Sequence, residues 1–356
     1  MRRTLVAIGV AAGIAATSAM AAGCSASSAG TGGSGGSGGS ASPVVLRLGF
    51  LANITDAPAL IGIAKGFFAK ELGKGVKLDI QPFSTGTEEA TALLAGQLDA
   101  AYVGPNPTLK AWQTSKGTLI KVISGAASGG AALVVKPSIK TPAQLKGQKL
   151  ATPSLGNTQD VALRYWLSQH HLTSSPTGGG QVPIAPVTPN SAAVLDFKSG
   201  QIAGGWEPAP YDIEMVADGG HVLVDEASLW PKGQFVTTNL VVTSKFLAAH
   251  PSAVTGLLKG QIDANNYIHS DQAAAEAAAN GELTTLLGKG LKSSVLAASF
   301  KQITFTNDPI ASSLATDAQH ALSVGLLKPV SNLPGLYDLG PLNALLTADG
   351  QQQVSS

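Results

Sequence analysis

A short pattern occurs twice in this chain and restricts its fold more than any other feature. An apolar segment, residues 46–50, runs into Leu51-Ala-Asn53-Ile-Thr-Asp56 and then into a helical stretch over 57–72. Residues 149–152 run in the same way into Leu155-Gly-Asn157-Thr-Gln-Asp160 and a helical stretch that ends near His170. Both loops read L-x-N-x-x-D between a strand and a helix. The next module repeats too. Residues 76–83 form a strand, 84–87 a loop and 88–95 a helix closed by Gly96, a usual helix stop. A short strand over 97–103 then ends in Gly104-Pro105-Asn106-Pro107. In the second half, 182–189 is a strand interrupted by prolines, Asn190-Ser191 caps a helix that Gly200 closes, and 201–205 lead into Trp206-Glu207-Pro208. Strands alternating with helices at this spacing predict an α/β chain of two similar lobes, each a parallel or mixed sheet flanked by helices.

Apolar segments at 131–135 and 237–243 read as the two hinge segments that cross between the lobes. Lobe 1 is then 44–133 with 236–350, and lobe 2, 134–235, is inserted into it. After residue 243 the chain reads as helical at 244–249, 252–269, 271–280, and around 282–300 and 310–325. The alanine-rich 271–280 stretch has high helix propensity. The final Gln-Gln-Gln-Val-Ser-Ser is expected to fray.

Ahead of the lobes lies an export signal. Arg2 and Arg3 precede an apolar run from Leu5 to about Ala16 and then small residues ending Ala21-Ala22-Gly23. That order describes a secretory signal peptide over 1–23, too short to cross a bilayer of ~30 Å. Cys24, the single cysteine, follows the cut and precedes a Gly/Ser-rich stretch, so 24–43 reads as a flexible tether. One cysteine permits neither an internal disulfide nor a cysteine-rich zinc site. Net charge is +1 with 13% charged residues, so no basic footprint for nucleic acid is present. The six histidines show no metal-ligand spacing with carboxylates. No metal and no cofactor is expected.

In open sheets of this type ligands sit beyond the carboxyl ends of the strands. The repeated loops fall there, at helix N-termini, where free N–H groups and a partial positive charge suit an anion. Thr85-Gly86-Thr87-Glu88 has capping-box spacing and a glycine that permits close backbone approach. It can serve a ligand or simply cap its helix. Asn53 and Asn157 can contact a ligand or hold their own turns. Asp56 can be an N-cap instead of a contact. Gly104-Pro105-Asn106-Pro107 reads as a rigid turn in which Asn106 offers a donor and an acceptor. The run 124–130, containing Ser128 and Gly129, is either a flexible hinge or a small-residue wall. Trp206 can pack over an apolar ligand tail, and Glu207 can accept from a ligand amine; a rim tryptophan beside a solvated acid is the alternative. No G-x-S-x-G, phosphate loop or Cys/His pair is present, so no catalytic residue is assigned and the chain is not expected to be an enzyme.

Taken together these residues resemble the periplasmic-type substrate-binding lipoproteins of nitrate/sulfonate/taurine ABC importers, across almost all of 44–350. The resemblance is carried by Leu48-Gly-Phe50 with the Asn53 loop, by 94–100 followed by Gly104-Pro-Asn-Pro107, by 139–147 ahead of 151–158, by Trp206-Glu-Pro208, and by 247–251. Ala-Gly-Cys24 is similar to a lipobox, although Ala21 stands where that pattern has leucine. The resemblance implies a bilobed clamshell, a monomer, that closes on a small anion and passes it to a membrane permease. It further implies that lipid on Cys24 holds the protein at the outer face of the cell membrane. Ligand contacts are expected from Asn53, Thr55, Asp56, Thr85, Gly86, Thr87, Pro105, Asn106, Ser128, Gly129, Asn157, Thr158, Gln159, Trp206 and Glu207. An aliphatic sulfonate or taurine is the leading ligand. Nitrate, nitrite or bicarbonate is the alternative, and a thiamine-pyrimidine precursor, bound or turned over on the same fold, ranks lower.

Overall fold

The structure, a computed structural model, describes residues 43–356. The signal peptide, most of the tether and Cys24 lie outside the described residues. Among the described residues no helix is long and apolar enough to cross a membrane.

Strands β1 (Val44–Leu51), β2 (Val76–Phe83), β3 (Ala100–Val103) and β4 (Ile120–Gly129) enter a first sheet. Strands β5 (Ala131–Val135), β6 (Leu150–Thr152), β7 (Ile184–Pro186), β8 (Gly204–Pro208) and β9 (His221–Asp225) form a second. Strands β10 (Val236–Thr243) and β11 (Ile303–Phe305) return to the first. The orders are β11-β4-β10-β3-β1-β2 and β7-β6-β8-β5-β9. Both sheets are mixed. β1 pairs parallel with β2 and β3, and β6 with β7 and β8. β10 runs antiparallel to β3 and β4, and β5 antiparallel to β8 and β9.

Side-chain alternation explains the layering, since successive strand residues face opposite sides. In β3, Ala100 and Tyr102 enter one core while Ala101 and Val103 enter another on the far side of the sheet. In β5, Ala131, Leu133 and Val135 face one core and Ala132 and Val134 the other. Each sheet is therefore helix-covered on both faces, which is why these strands read as unbroken apolar runs.

Several expectations need correction. Residues 131–135 are not a crossing segment but lie wholly in the second sheet, and β10 lies wholly in the first. The first passage is instead at Gly129-Gly130, both left-handed at φ 85° and 77°, a geometry that favours glycine. The run 124–130 is mostly buried strand, not a loose hinge. Gly125 is required by packing: a Cβ there would meet the Asp308 carbonyl oxygen at 2.1 Å. Gly104-Pro105-Asn106-Pro107 is not a free turn. Pro105 begins the helix Pro105–Thr114, where a missing N–H costs nothing. The C-terminal part is not purely helical, because β11 pairs with β4. The tail is tied down as well: Asn343 Nδ2 donates to the Val354 carbonyl and Val354 N donates to Asn343 Oδ1, both at 2.9 Å.

Candidate functional site

All four repeated loops meet in one cleft between the two sheets. From the first lobe come Leu51, Asn53 and Thr55, then Ser84, Thr85 and Gly86; from the second come Asn157, Thr158 and Gln159, then Asn190. Each group opens a helical segment: Ile54–Asp56 leading into Ala57–Ala64, Gly86–Leu94, Thr158–Gln169 and Asn190–Ser199. The enclosed space is about 30 Å³. No charged side chain lines it. The arrangement offers N–H groups, hydroxyls and amides to an anion, with the positive ends of helix dipoles in place of a cation.

Local hydrogen bonds show how the repeated sequence builds the repeated loop. The aspartate of each L-x-N-x-x-D reaches back to clamp its loop. Leu51 N donates to Asp56 Oδ2 at 2.7 Å, and Gly156 N donates to Asp160 Oδ2 at 2.7 Å. The asparagine pairs with the residue two positions on. Thr55 Oγ1 donates to Asn53 Oδ1 at 2.7 Å, and Asn157 Nδ2 donates to Gln159 Oε1 at 3.0 Å. Asn157 is also an N-cap, its Oδ1 accepting from Asp160 N at 2.9 Å. Thr85 caps its helix through Glu88 N at 3.3 Å, and Glu88 Oε2 accepts from Ser84 N at 3.2 Å. Several of these side chains thus hold the loop that presents the backbone donors. Asp56 stands at the N-cap position of Ala57–Ala64 but its side chain makes no capping bond; its other oxygen accepts from Thr238 Oγ1 at 3.0 Å.

The remaining candidates lie elsewhere. Thr87 sits at the rim, its hydroxyl 2.8 Å from Ser154 Oγ of the other lobe. Pro105 and Asn106 open their helix beside the cleft, and Asn106 lines a neighbouring groove. Ser128 Oγ accepts from Phe235 N, and the Gly129 carbonyl accepts from Thr237 Oγ1, so both serve the passage between sheets. Trp206 does not face the cleft. It is fully buried in the second lobe, edge-on to Trp166, and its Nε1 donates to Glu226 Oε2 at 2.6 Å. Strand alternation turns Glu207 to the opposite face, where its carboxyl is buried without a hydrogen-bond partner.

Sequence reasoning missed Gly104, Thr237 and Thr238 as cleft residues, and took Asn190 only for a cap. Pro189 is the cap; Asn190 is 5% exposed with its Oδ1 unpartnered. Its place in the second copy of the repeat, opposite the Thr85 loop, was the available signal. Gly104 carries no side chain because a Cβ there would come within 2.5 Å of Thr158 Oγ1 across the lobes.

Two acids lie buried beside this cleft. Asp56 is pushed up to about 7 by burial, against its hydrogen bonds from Leu51 N and Thr238 Oγ1. Glu89, with both oxygens unpartnered, is pushed well above the carboxylate range by burial and then by Asp56 and Glu88. Its Oε2 lies 3.8 Å from where a Cβ on Gly86 would stand. Burial thus disfavours a negative charge on Glu89 under the Gly86 helix start.

The lobes touch at further points. Gln302 Nε2 donates to Asp212 Oδ2 at 2.8 Å, and Tyr211 Oη donates to the Ala52 carbonyl at 3.5 Å. His320 stacks on Tyr165 with centroids 3.6 Å apart.

The sequence model of the NMT1-like family matches residues 39–281. A taurine-binding periplasmic protein of Escherichia coli is 28% identical over 212 residues, 58% of this chain and 62% of that protein. The chain thus spans somewhat under two thirds of the length of that curated relative. An alkanesulfonate-binding protein from Xanthomonas axonopodis, solved with MOPS bound, superposes with a TM-score of 0.68 at 16% identity, covering 84% of this chain and 100% of that one. A periplasmic nitrate-binding protein from Synechocystis superposes at 0.69 with 17% identity, covering 86% and 89%. At these identities the superpositions speak for the bilobed fold.

Proposed function

Because the chain belongs to the NMT1-like family, we propose that it is an extracytoplasmic solute-binding protein of an ABC importer, closing two lobes on a small oxyanion, an aliphatic sulfonate or taurine. The observation that carries this reading is the cleft itself: four helix starts, two from each lobe, converge on a space whose polar lining is entirely neutral. A sulfonate has three acceptor oxygens, which such donors satisfy without an arginine. Hydrogen bonds to a charged group contribute about 1.5–3 kcal/mol each, so losing one lobe's set weakens binding by orders of magnitude. Division of the donors couples binding to closure.

On this reading lobe 1 comprises 44–130 and 236–350 and lobe 2 comprises 131–235, a division that follows sheet membership and starts lobe 2 three residues earlier than the sequence reading of 134. The protein works as a monomer, held through lipid on Cys24 to the outer face of the membrane, and hands its ligand to a permease. It binds and does not turn over its ligand. A second reading, nitrate or bicarbonate, is favoured by the small enclosed volume of about 30 Å³. It is also favoured by the burial of Trp206 away from any ligand tail.

A thermal-shift panel separates these readings, with taurine, alkanesulfonates, nitrate, bicarbonate and pyrimidine precursors. A ligand at ~100 times its dissociation constant adds about 2.7 kcal/mol. A clear shift with a sulfonate is expected. A shift with nitrate or bicarbonate and none with any sulfonate would reject the first reading.

A further inference from the structure

Two carboxyls lie buried behind the cleft, which has no charged side chain in its own lining. Asp56 ends the short helical segment Ile54–Asp56 and is 1% exposed. Its oxygens accept from Leu51 N at 2.7 Å and Thr238 Oγ1 at 3.0 Å, and both donors belong to residues that line the cleft. Glu89 lies in the first turn of Gly86–Leu94, fully buried, with neither oxygen partnered. A Cβ on Gly49 would stand 3.4 Å from Glu89 Oε1, and one on Gly86 3.8 Å from Glu89 Oε2. The Glu89 carboxyl is thus wedged between β1 and the start of its own helix, two residues along β1 from the amide that Asp56 holds.

No cation offsets either acid: among the described residues neither belongs to an ion pair. Of the elements packed against Asp56, Ala57–Ala64 and β10 carry no titratable residue. β4 brings only Lys121, which donates to the Gly335 carbonyl, and the helix Ser293–Lys301 brings only Lys301, which is exposed. β1 brings Arg47, held by Asp99 at 2.7 Å. Around Glu89 stand Tyr102 of β3, which donates to Gln261 Oε1 at 2.6 Å, Lys77 and Asp79 of β2, and the exposed Glu88 and Lys110.

A buried carboxylate without a cation is costly, and the cost differs between these two. Asp56 has two donors to share its charge and Glu89 has none, so Asp56 ionises first and Glu89 keeps its proton. Burial pushes Asp56 up to about 7 and holds Glu89 well above the carboxylate range. An anion in the cleft repels a charge on Asp56 through space, with no contact needed, and protein screens that repulsion less than water does. Binding and protonation therefore favour each other.

We propose that anion capture in this cleft takes up a proton from solvent onto Asp56, with Glu89 staying protonated beside it. The proposal rests on the reading of the cleft as an anion site and adds a regulation to it. Well below pH 7 Asp56 carries its proton with or without ligand, so affinity is highest and no proton moves. As pH rises through about 7 the ligand-free protein loses the proton before the complex does, and affinity falls.

A pH-stat measures the uptake directly when saturating ethanesulfonate or nitrate, neither of which titrates near neutral pH, is added to the unbuffered protein. About half a proton per protein is expected at pH 7.5 and about none at pH 5. Titration calorimetry in amine buffers, which bring no competing sulfonate or phosphate, should show binding about sevenfold weaker at pH 8.5 than at pH 6, the result of an about tenfold preference of the anion for the protonated form. Glu89→Gln, an uncharged stand-in, should leave the uptake in place, and Asp56→Asn should abolish it together with the pH dependence. Should Asp56→Asn fail to fold, the wild-type and Glu89→Gln measurements decide alone. Binding with no uptake and equal affinity at the two pH values would overturn the proposal while the anion reading stands. Uptake that survives Asp56→Asn, or is lost in Glu89→Gln, would overturn the assignment to Asp56. If neither ion binds at any pH, the anion reading falls and the proposal with it.

Discussion

At the scale of single residues, the buried polar groups decide what each position does. Trp206 is the clearest case: its sequence neighbours point to the ligand, yet its indole fills the second lobe's core and bonds Glu226. Trp206→Ala should cost about 3–5 kcal/mol of stability, with the Glu226 carboxyl losing a donor besides. Urea titration checks this, and a variant as stable as the wild type would contradict the burial described. The buried acids set a pH dependence with a definite sign. Burial pushes Asp56 and Glu226 up to about 7 and Asp212 to about 6, and raises Glu89, Glu207 and Asp317 well above the usual range. An acid of this kind keeps its proton in the folded chain where the unfolded chain has lost it. Its contribution to stability is full below about pH 4 and falls as pH rises through the folded value. His320, lowered to about 4 by burial, acts in the opposite direction: its contribution is full above about pH 6.5 and is lost as pH falls toward 4. Six acids outweigh one imidazole, so the midpoint of thermal unfolding should be higher at pH 5 than at pH 8. Glu89→Gln should flatten that slope by raising stability at pH 8. A midpoint that climbs between pH 5 and pH 8 would refute the assignment.

At the scale of elements, the repeat was legible because strand, loop and helix each leave a local signature. Leu-x-Asn-x-x-Asp is such a signature: its aspartate clamps the loop and its asparagine pairs two residues on, in both copies. What local pattern does not report is which side of a strand a residue occupies in the assembled sheet. Trp206 and Glu207 were therefore found as neighbours of the site but not as residues turned away from it. The four-residue prolyl run at 104–107 was likewise read as a turn, because proline starts helices as readily as it makes turns. Thr237 and Thr238 enter the cleft from β10, a strand distant in sequence from every loop of the repeat, and no local signal marks them. The observed cap also changes what Asn157 should do. Asn157→Ala removes the bond to Asp160 N and should cost about 1 kcal/mol of stability, while also weakening ligand binding through the loosened loop. Chemical denaturation and ligand titration on the same variant separate the two effects. Unchanged stability would show that the cap is dispensable.

At the scale of the whole molecule, the two lobes are built alike so that each brings two helix starts to a shared space. The lobes meet where Gly104 lies against Thr158, Thr87 against Ser154 and Gln302 against Asp212. None of these pairs is an ion pair, so the lobes meet here through polar contacts and packing; on the proposed reading a bound ligand tips that balance. On the proposed reading the cleft has to select negative charge with no charged side chain in its lining. Titration calorimetry of ethanesulfonate against its neutral isostere ethanesulfonamide isolates that requirement, since the two differ in charge and hardly in shape. The anion should bind, and the sulfonamide should bind at least a hundredfold more weakly, about the value of one to two charge-assisted hydrogen bonds. Equal affinity for the two, or binding of the sulfonamide alone, would contradict a cleft built from helix starts to hold an anion.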